Sequence, residues 1–445
     1  MKEAAVVFSH SSTPRLRYMI EFLSRYYGQP FRLICDEERY RQAAASCKIN
    51  YSFHAVEADE IWIHPHPLLF ESIIRPVKVE CFHWRQQKAF FKSEGSLGFD
   101  LLAASFYLLS RYEEYLPHEK DTFGRYDHRN AVAWKEGFLQ LPLVNLWLEQ
   151  FREMLIEKNP VFRTPVAAFS FLPTYDIDRA WNYLHNGWFR NTGGFLKELA
   201  KAKWQLARTR LRVLRHKQQD PFDAYEWLDG LHEKYGLDPL YFFLVAVEKG
   251  RYDNNIDTGK PALQQLIRRL SQRYRIGIHP SWASGDTPSL LQREIDFIKE
   301  CSAQPVTASR QHFIRMELPE TYRRLLAAGI REEHSMGYGT TNGFRASFTA
   351  SYYWYDLKAE EGTDLRVRPF CFMDANAYYE QKQRPEEAFD ELLKYYQVIR
   401  EVNGEMITLW HNDFLGTGTF WKGWREQYER FLAHLAAGQH TANNQ

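Results

Sequence analysis

An α/β protein is expected from this chain: an irregular (β/α) barrel of about seven strands with a smaller N-terminal α/β domain. Three observations predict it. At 445 residues the chain is longer than one ordinary core serves, so two folding units are the default. From Val166 onward, strand-length apolar runs alternate with helical ones, the pattern of βα units around a mainly parallel sheet. Several of those runs end in a polar residue able to do chemistry, and in α/β folds sites are housed at that end of the strands.

The elements follow in order. Ala4–Phe8 reads as a strand, Pro14–Tyr27 as a helix and Ile49–Val56 as another strand. Asp100–Tyr115 is apolar on most faces and reads as a largely buried helix. A loop through Pro117–Asn130 leads to a helix from Leu143 to Lys158. Asn159-Pro160 and Thr164-Pro165 are breaker signals, placing the boundary so that 1–165 is an accessory domain. The barrel then spans 166–432, with strands at Val166–Leu172, Leu240–Val247, Tyr274–His279, Val306–Phe313, Gly343–Phe348, Val367–Met373 and Glu405–Trp410. Helices are expected at Pro221–Tyr235, Lys260–Tyr274, Ser289–Cys301, Pro319–Ala328 and Pro385–Val402, and 433–445 as a flexible tail.

Composition excludes some partners. Apolar residues make up 44% and charged residues 25%, ordinary for a globular protein. A net charge near +1 gives no reason to expect nucleic acid. The five cysteines are scattered, odd in number and without a CxxC pair, which argues against a disulfide framework and a cysteine zinc site. With too short an apolar run at the start for a signal peptide and none of about 18 residues to span a bilayer, a cytoplasmic protein is expected. One segment departs in character: residues 197–217 hold eight Lys or Arg against one Glu, interleaved with apolar residues. As a basic amphipathic helix it suits peripheral contact with an anionic membrane surface; the plainer reading is a solvated insertion packed on the barrel. The sequence fixes no oligomeric state.

The chemistry centres on Val166-Ala-Ala-Phe-Ser-Phe-Leu-Pro-Thr-Tyr-Asp-Ile-Asp178, an apolar run ending in two carboxylates. On an extended backbone positions i and i+2 face the same way, so Asp176 and Asp178 emerge together. Two like charges so close are costly unless a cation lies between them or one stays protonated. A helix N-cap pair is the plainer reading. Further along, His279, His312, Arg345, Asp374 and His411 each lie at or near the end of an expected strand. A lone histidine is usually structural, but a barrel would bring all five groups to one rim with the aspartates.

These residues carry a resemblance. The chain from about Val166 to Trp424 resembles the polysaccharide deacetylases of the NodB-homology type, carbohydrate esterase family 4. Thr174-Tyr-Asp-Ile-Asp178 is similar to the family's first motif, and Ile276-Gly-Ile-His279 to its second. Arg345 is similar in position to the arginine of the third motif, Asp374 to the aspartate of the fourth, and Leu409-Trp-His411 to the fifth. The region before Pro165 resembles the N-terminal domain of a bacterial branch of the family. The departure is Ala283, which stands where the second motif carries its second histidine. His312 is the replacement expected, ahead of His334.

The resemblance implies a metal-dependent hydrolase acting on N-acetylated carbohydrate. Asp178, His279 and His312 would hold a divalent metal, zinc first with cobalt or nickel as substitutes. Asp176 would be the general base with Arg345 paired to it, and His411 the general acid oriented by Asp374 or Asp413. A finished wall polymer is the less expected substrate for a cytoplasmic enzyme; an oligosaccharide or lipid-linked precursor fits better. The alternative is a catalytically degenerate carbohydrate-binding or scaffold protein of surface-polysaccharide assembly, favoured by the missing second-motif histidine. A metal-dependent phosphoesterase would be expected to show more basic residues at the strand ends.

Overall fold

The computed structural model describes residues 5–442 apart from 161, 163, 165 and 166. The expected domain boundary at 165/166, and the start of the strand expected from Val166, lie outside the described residues. The first sheet has four parallel strands, β1 (Ala5–Phe8), β2 (Phe31–Ile34), β3 (Lys48–Asn50) and β4 (Ile61–Trp62), in the order β2-β1-β3-β4. The helix Pro14–Tyr27 forms where expected because its ends are written into the chain. Thr13 Oγ1 accepts the Leu16 amide, proline opens the first turn, and Gly28 closes the last at φ 62°. A short hairpin, β5 (Phe82–Trp84) with β6 (Gln87–Ala89), precedes the helix Leu101–Leu109, in which all nine residues are buried. Asp100 caps that helix through the Ala103 amide and also accepts the Tyr51 hydroxyl and the His66 amide.

The second sheet holds nine strands. They are β7 (Ser170–Ile177), β8 (Leu240–Leu244), β9 (Arg275–His279), β10 (Ala308–Ser309), β11 (Glu332–Glu333), β12 (Tyr352–Asp356), β13 (Glu361–Val367), β14 (Phe372–Met373) and β15 (Glu405–His411). Their order is β12-β13-β11-β10-β9-β8-β7-β15-β14, parallel throughout except for the β12–β13 hairpin. Helices lie between β7 and β8, β8 and β9, β9 and β10, β10 and β11, and β14 and β15, as crossover units require. Each buries one stripe. In Pro261–Ser271 the stripe is Leu263, Leu266, Ile267 and Leu270, at helical spacing. One cluster of buried apolar side chains runs through both sheets, from Val7 and Leu16 to Trp410 and Tyr428.

Several expectations need correction. Among the described residues no strand pairing joins the two ends of the second sheet, so the ladder of the irregular barrel expected is open, and it holds nine strands where about seven were expected. The chain crosses the gap itself. Arg368 donates its amide to Glu333 O beside β11, and three residues later Cys371 donates to Ile407 O on β15. Pro369, which cannot donate to a ladder, divides the single expected strand Val367–Met373 into the end of β13 and β14. Gly343–Phe348 is not a strand. Gly343 at φ 136° and Ser347 at φ 49° break the extended repeat, and Phe344 and Ser347 instead bond to Leu139 and Val144 of the N-terminal region. The hairpin β12–β13 and strand β11 were not expected at all. Residues 433–442 continue the helix Trp424–Ala442 in place of the expected tail.

The basic segment forms two helices, Trp188–Ala200 and Trp204–Leu214, clasped by Arg210 through Glu198 and Asn191. Their outer face leaves Trp188, Phe189, Leu196 and Trp204 exposed. Among the described residues no helix is long and apolar enough to cross a membrane, and all five cysteines are free.

Candidate metal centre

β7, β9 and β15 end on the same side of the sheet, and their last residues meet. In register, Asp176 of β7 stands opposite His411 of β15, and Leu244 of β8 opposite His279 of β9. Asp176 is buried within β7 and Asp178 follows just past its end, two residues on and on the same face. His312 arrives from the 3-10 turn His312–Ile314 beyond β10. One donor atom each from Asp178, His279 and His312 lie within 4.8 Å of one another.

The hydrogen bonds behind the histidines decide what those atoms can do. His279 Nδ1 lies 2.6 Å from the carbonyl oxygen of Arg310, which can only accept, so Nδ1 carries the proton. Nε2 is the nitrogen left facing Asp178 Oδ1 at 3.2 Å and Asp176 Oδ2 at 3.7 Å. His312 Nδ1 is 3.2 Å from Asp253 Oδ1, and its Nε2 lies 3.5 Å from Asp178 Oδ2. A carboxylate or carbonyl behind each imidazole is the usual support of a metal-binding histidine. The buried Asp178 Oδ1 has no hydrogen-bond partner although His279 Nε2 is close. Imidazole nitrogens and carboxylate oxygens converging at such distances fit a cation between them, and the donor set fits zinc: one carboxylate, two imidazoles and a side left open.

Electrostatics agree with that geometry. Burial works against the Asp178 charge, yet His312 and then His279 hold its carboxyl well below the usual range. Burial likewise opposes a charge on His312, but Asp178 and Asp253 lift it to about 9. A proton on Nε2 occupies the lone pair that an ion would take, so proton and ion compete for one position.

A second pair lies across the cleft. Asp374, just past β14, accepts the His411 amide on Oδ2 at 2.7 Å, and its Oδ1 is 2.6 Å from His411 Nδ1. The ring is therefore fixed with Nε2 toward the ligands, 4.0 Å from Asp178 Oδ2. Burial disfavours the imidazolium, but Asp374 first, then Asp178 and Asp176, hold His411 well above its ordinary value. Asp413 lines the same cavity, its carboxyl pushed up to about 6 by burial. The cavity is about 540 Å³, within the range of small-ligand sites.

Five of the seven expected site residues thus line one cleft, Asp176, Asp178, His279, His312 and His411, and a sixth, Asp374, is buried behind His411. Arg345 does not. It is buried at the junction with the N-terminal region, where Nε and Nη2 donate to Glu114 at 2.8 and 2.6 Å and Nη1 donates to Gly337 O. The segment expected to carry it as a strand is a loop running back toward Leu139, which takes the side chain away from β7. The arginine beside Asp176 is Arg310. Its Nη1 reaches Asp176 Oδ1 at 2.9 Å and Thr174 Oγ1 at 2.7 Å, its Nε donates to His334 O, and its guanidinium lies over Phe242. His334, the weaker ligand candidate, is fully buried against Phe242, with its basicity pushed down to about 3 by burial. Asp253, from the loop after β8, was also missed; no periodicity marks a loop residue. For Arg310 a signal existed, since Arg310 and His312 repeat the i, i+2 spacing of the two aspartates.

Residues 5–160 match the model of a family of unknown function, DUF7033. No curated protein matches the chain. Among solved structures, the chain is similar to a protein from Mycobacterium smegmatis assigned as a polysaccharide deacetylase, with 13% identity, 61% of this chain and 85% of that one covered, and a TM-score of 0.38. A second similar structure, from Pseudomonas aeruginosa PAO1 and assigned likewise, has 11% identity, coverage of 60% and 84%, and a TM-score of 0.35. A third is the polysaccharide deacetylase Bc1974 from Bacillus cereus, at 8% identity, coverage of 60% and 87%, and a TM-score of 0.28. Values this low leave the chemistry to the residues themselves.

Proposed function

We propose that this protein is a metal-dependent hydrolase that removes N-acetyl groups from amino sugars of an oligosaccharide, a polysaccharide or a lipid-linked precursor. One observation carries the reading: three donors aim at a single point, with an unengaged carboxylate oxygen on one side and an oriented imidazole on the other. Zinc is the ion the donor set suits best, with cobalt or nickel as substitutes. When bound, such an ion supplies Lewis acidity, polarising an acyl oxygen and making water a stronger acid.

The chain's own groups do the rest. Asp178, His279 and His312 hold the ion. Asp176, 3.7 Å from His279 through Oδ2, takes a proton from the attacking water as the carbon–oxygen bond forms. Arg310 supplies the countercharge on the other oxygen and fixes the direction of the carboxylate. His411 gives its Nε2 proton to the nitrogen as the carbon–nitrogen bond breaks, and Asp374 keeps the ring aimed. The products are acetate and an amino sugar; the two transfers leave Asp176 protonated and His411 neutral, and loss of a proton from Asp176 to solvent with uptake of one by His411 returns both to their starting states.

The scaffold alternative drew on the histidine missing from the second motif. With His312 within reach of Asp178, a three-ligand set no longer needs that histidine. The deciding experiment combines metal analysis of the purified chain with acetate release from N-acetylglucosamine oligomers. One equivalent of zinc, activity lost to a chelator and activity restored by zinc are expected. A protein that takes up no ion and releases no acetate overturns the proposal.

A further inference from the structure

The cleft has a wall that comes from the other end of the chain. Phe123 and Arg125, in the N-terminal region, line the same cavity as the metal-site residues. Their loop is rigidly built. Asp121 accepts the amides of Phe123 and Arg125 and the Arg125 Nε, while the Asp121 and Gly124 amides close the turn on Arg125 O and Asp121 O. Phe123 therefore sits at a fixed tip. Arg125 ties that tip across to the second sheet, donating Nη1 to Phe313 O at 2.8 Å. The path of this arginine leaves no room for a side chain at residue 339: a Cβ on Gly339 would lie 2.0 Å from Arg125 Nη1.

Its partner across the cleft is held in an unusual conformation. Phe313 and Ile314, directly after His312, both have left-handed backbones, φ 60° and 55°. Neighbouring residues without glycine, one of them β-branched, adopt that region only where the surroundings enforce it, and such strain gathers at functional sites. Here it turns the Phe313 ring against Phe123, with centroids 5.1 Å apart. Tyr252 and Trp282, tilted against each other with centroids 4.2 Å apart, extend the group, and both approach Phe313 and Phe123. All four rings are only half-buried. Rings that served only to seal two regions together would be covered; Phe123 and Phe313 keep surface toward the cleft, with Tyr252 and Trp282 packed beside them.

We infer that the N-terminal region completes the substrate site, and that Phe123, with Phe313, Tyr252 and Trp282, forms a platform on which a sugar ring next to the reacting acetamido sugar stacks. The inference rests on the deacetylase reading for the identity of the substrate. It makes Phe123 a specificity residue for oligosaccharides over single sugars, and it gives the N-terminal region a part in binding substrate.

The test uses the full chain and Phe123→Leu, which keeps the loop packed but removes the ring face, beside Phe123→Tyr, which restores one. Binding of N-acetylglucosamine tetramer is measured by calorimetry with the metal chelated, so that it is independent of turnover. Phe123→Leu should weaken binding and raise KM for the tetramer about tenfold, with kcat, zinc content and hydrolysis of p-nitrophenyl acetate unchanged; Phe123→Tyr should behave as wild type. Tetramer affinity unaltered in Phe123→Leu, or equal losses on the tetramer and on p-nitrophenyl acetate, overturns the platform. A wild-type chain that does not bind the tetramer overturns it too. If the wild type binds the tetramer, Phe123→Leu loses that binding, and no acetate is ever released, the platform stands and the deacetylase reading falls.

Discussion

The arginine–carboxylate group at the junction of the two regions and the one in the cleft are both buried, and they are built on opposite principles. At the junction of the two regions, Glu114 Oε1 accepts from Arg345 Nε and Arg111 Nε, Oε2 accepts from Arg345 Nη2, and Arg111 also reaches Glu113. Nothing on that carboxylate is left over. In the cleft, Arg310 engages Asp176 through one nitrogen, its buried Nη2 has no hydrogen-bond partner, and Asp176 Oδ2 faces the ligands at 3.7 Å. A saturated pair holds structure together, whereas an unsaturated one keeps capacity for a proton or a ligand. The residue types alone do not separate them, and for that reason Arg345 could be taken for the arginine of the site.

The comparison can be broken in a definite order. The largest effect is expected in the cleft. Asp178→Asn should lose both the ion and all turnover, because two imidazoles alone hold zinc poorly. Asp176→Asn should keep the ion and lose about 10²- to 10⁴-fold in kcat, the usual worth of a general base. Metal analysis beside kinetics separates the two, and wild-type activity in Asp176→Asn would refute its role. At the junction the loss should appear in stability. Glu114→Ala strands two buried guanidinium groups and should cost about 3–5 kcal/mol in denaturant unfolding, while zinc per folded molecule stays constant. Equal stability losses in Asp176→Asn and Glu114→Ala would erase the distinction drawn here.

A smaller effect concerns acid. Burial raises the cost of the Glu114 charge, but Arg345 and then Arg111 outweigh it and bring the carboxyl from its ordinary 4.5 down to about 2. A carboxyl depressed by folding contributes stability that is complete above its unfolded value and is lost as pH falls. The contribution, on the order of 3 kcal/mol, should therefore disappear between about pH 4.5 and pH 2. Unfolding free energies measured across that window should fall less steeply in Glu114→Gln than in wild type. The smallest effect is a sharpening one: His312→Ala should weaken zinc binding, and unchanged affinity would remove His312 from the ligand set.

How far the sequence revealed the molecule follows from the kind of signal each part carries. Helices with a one-sided apolar stripe, such as Leu143–Lys158 and the capped Pro14–Tyr27, were readable in the sequence. Buried parallel strands such as β8 and β15 are continuous apolar runs, and the histidine ending β15 marked the site. Strands of two residues, such as β11, carry too little pattern to be seen, and β13 is a half-exposed run rich in charge. Gly343–Phe348 shows the opposite failure, an alternating apolar run that the backbone never extends. Partners that meet only in three dimensions, such as Asp253 behind His312 or Phe123 beside Phe313, leave no mark in local order.

The gap bridged at Pro369 has a mechanical consequence. β14 pairs with β15 over two residues, and its other flank is held by single bonds, the Gly343 amide on Cys371 O and the Met373 amide on Asn342 Oδ1. Asp374 therefore hangs from the margin of the sheet, while His411 is seated on β15, whose residues from Glu405 to His411 pair with β7. The seat of the imidazole and its aim thus rest on two separate supports.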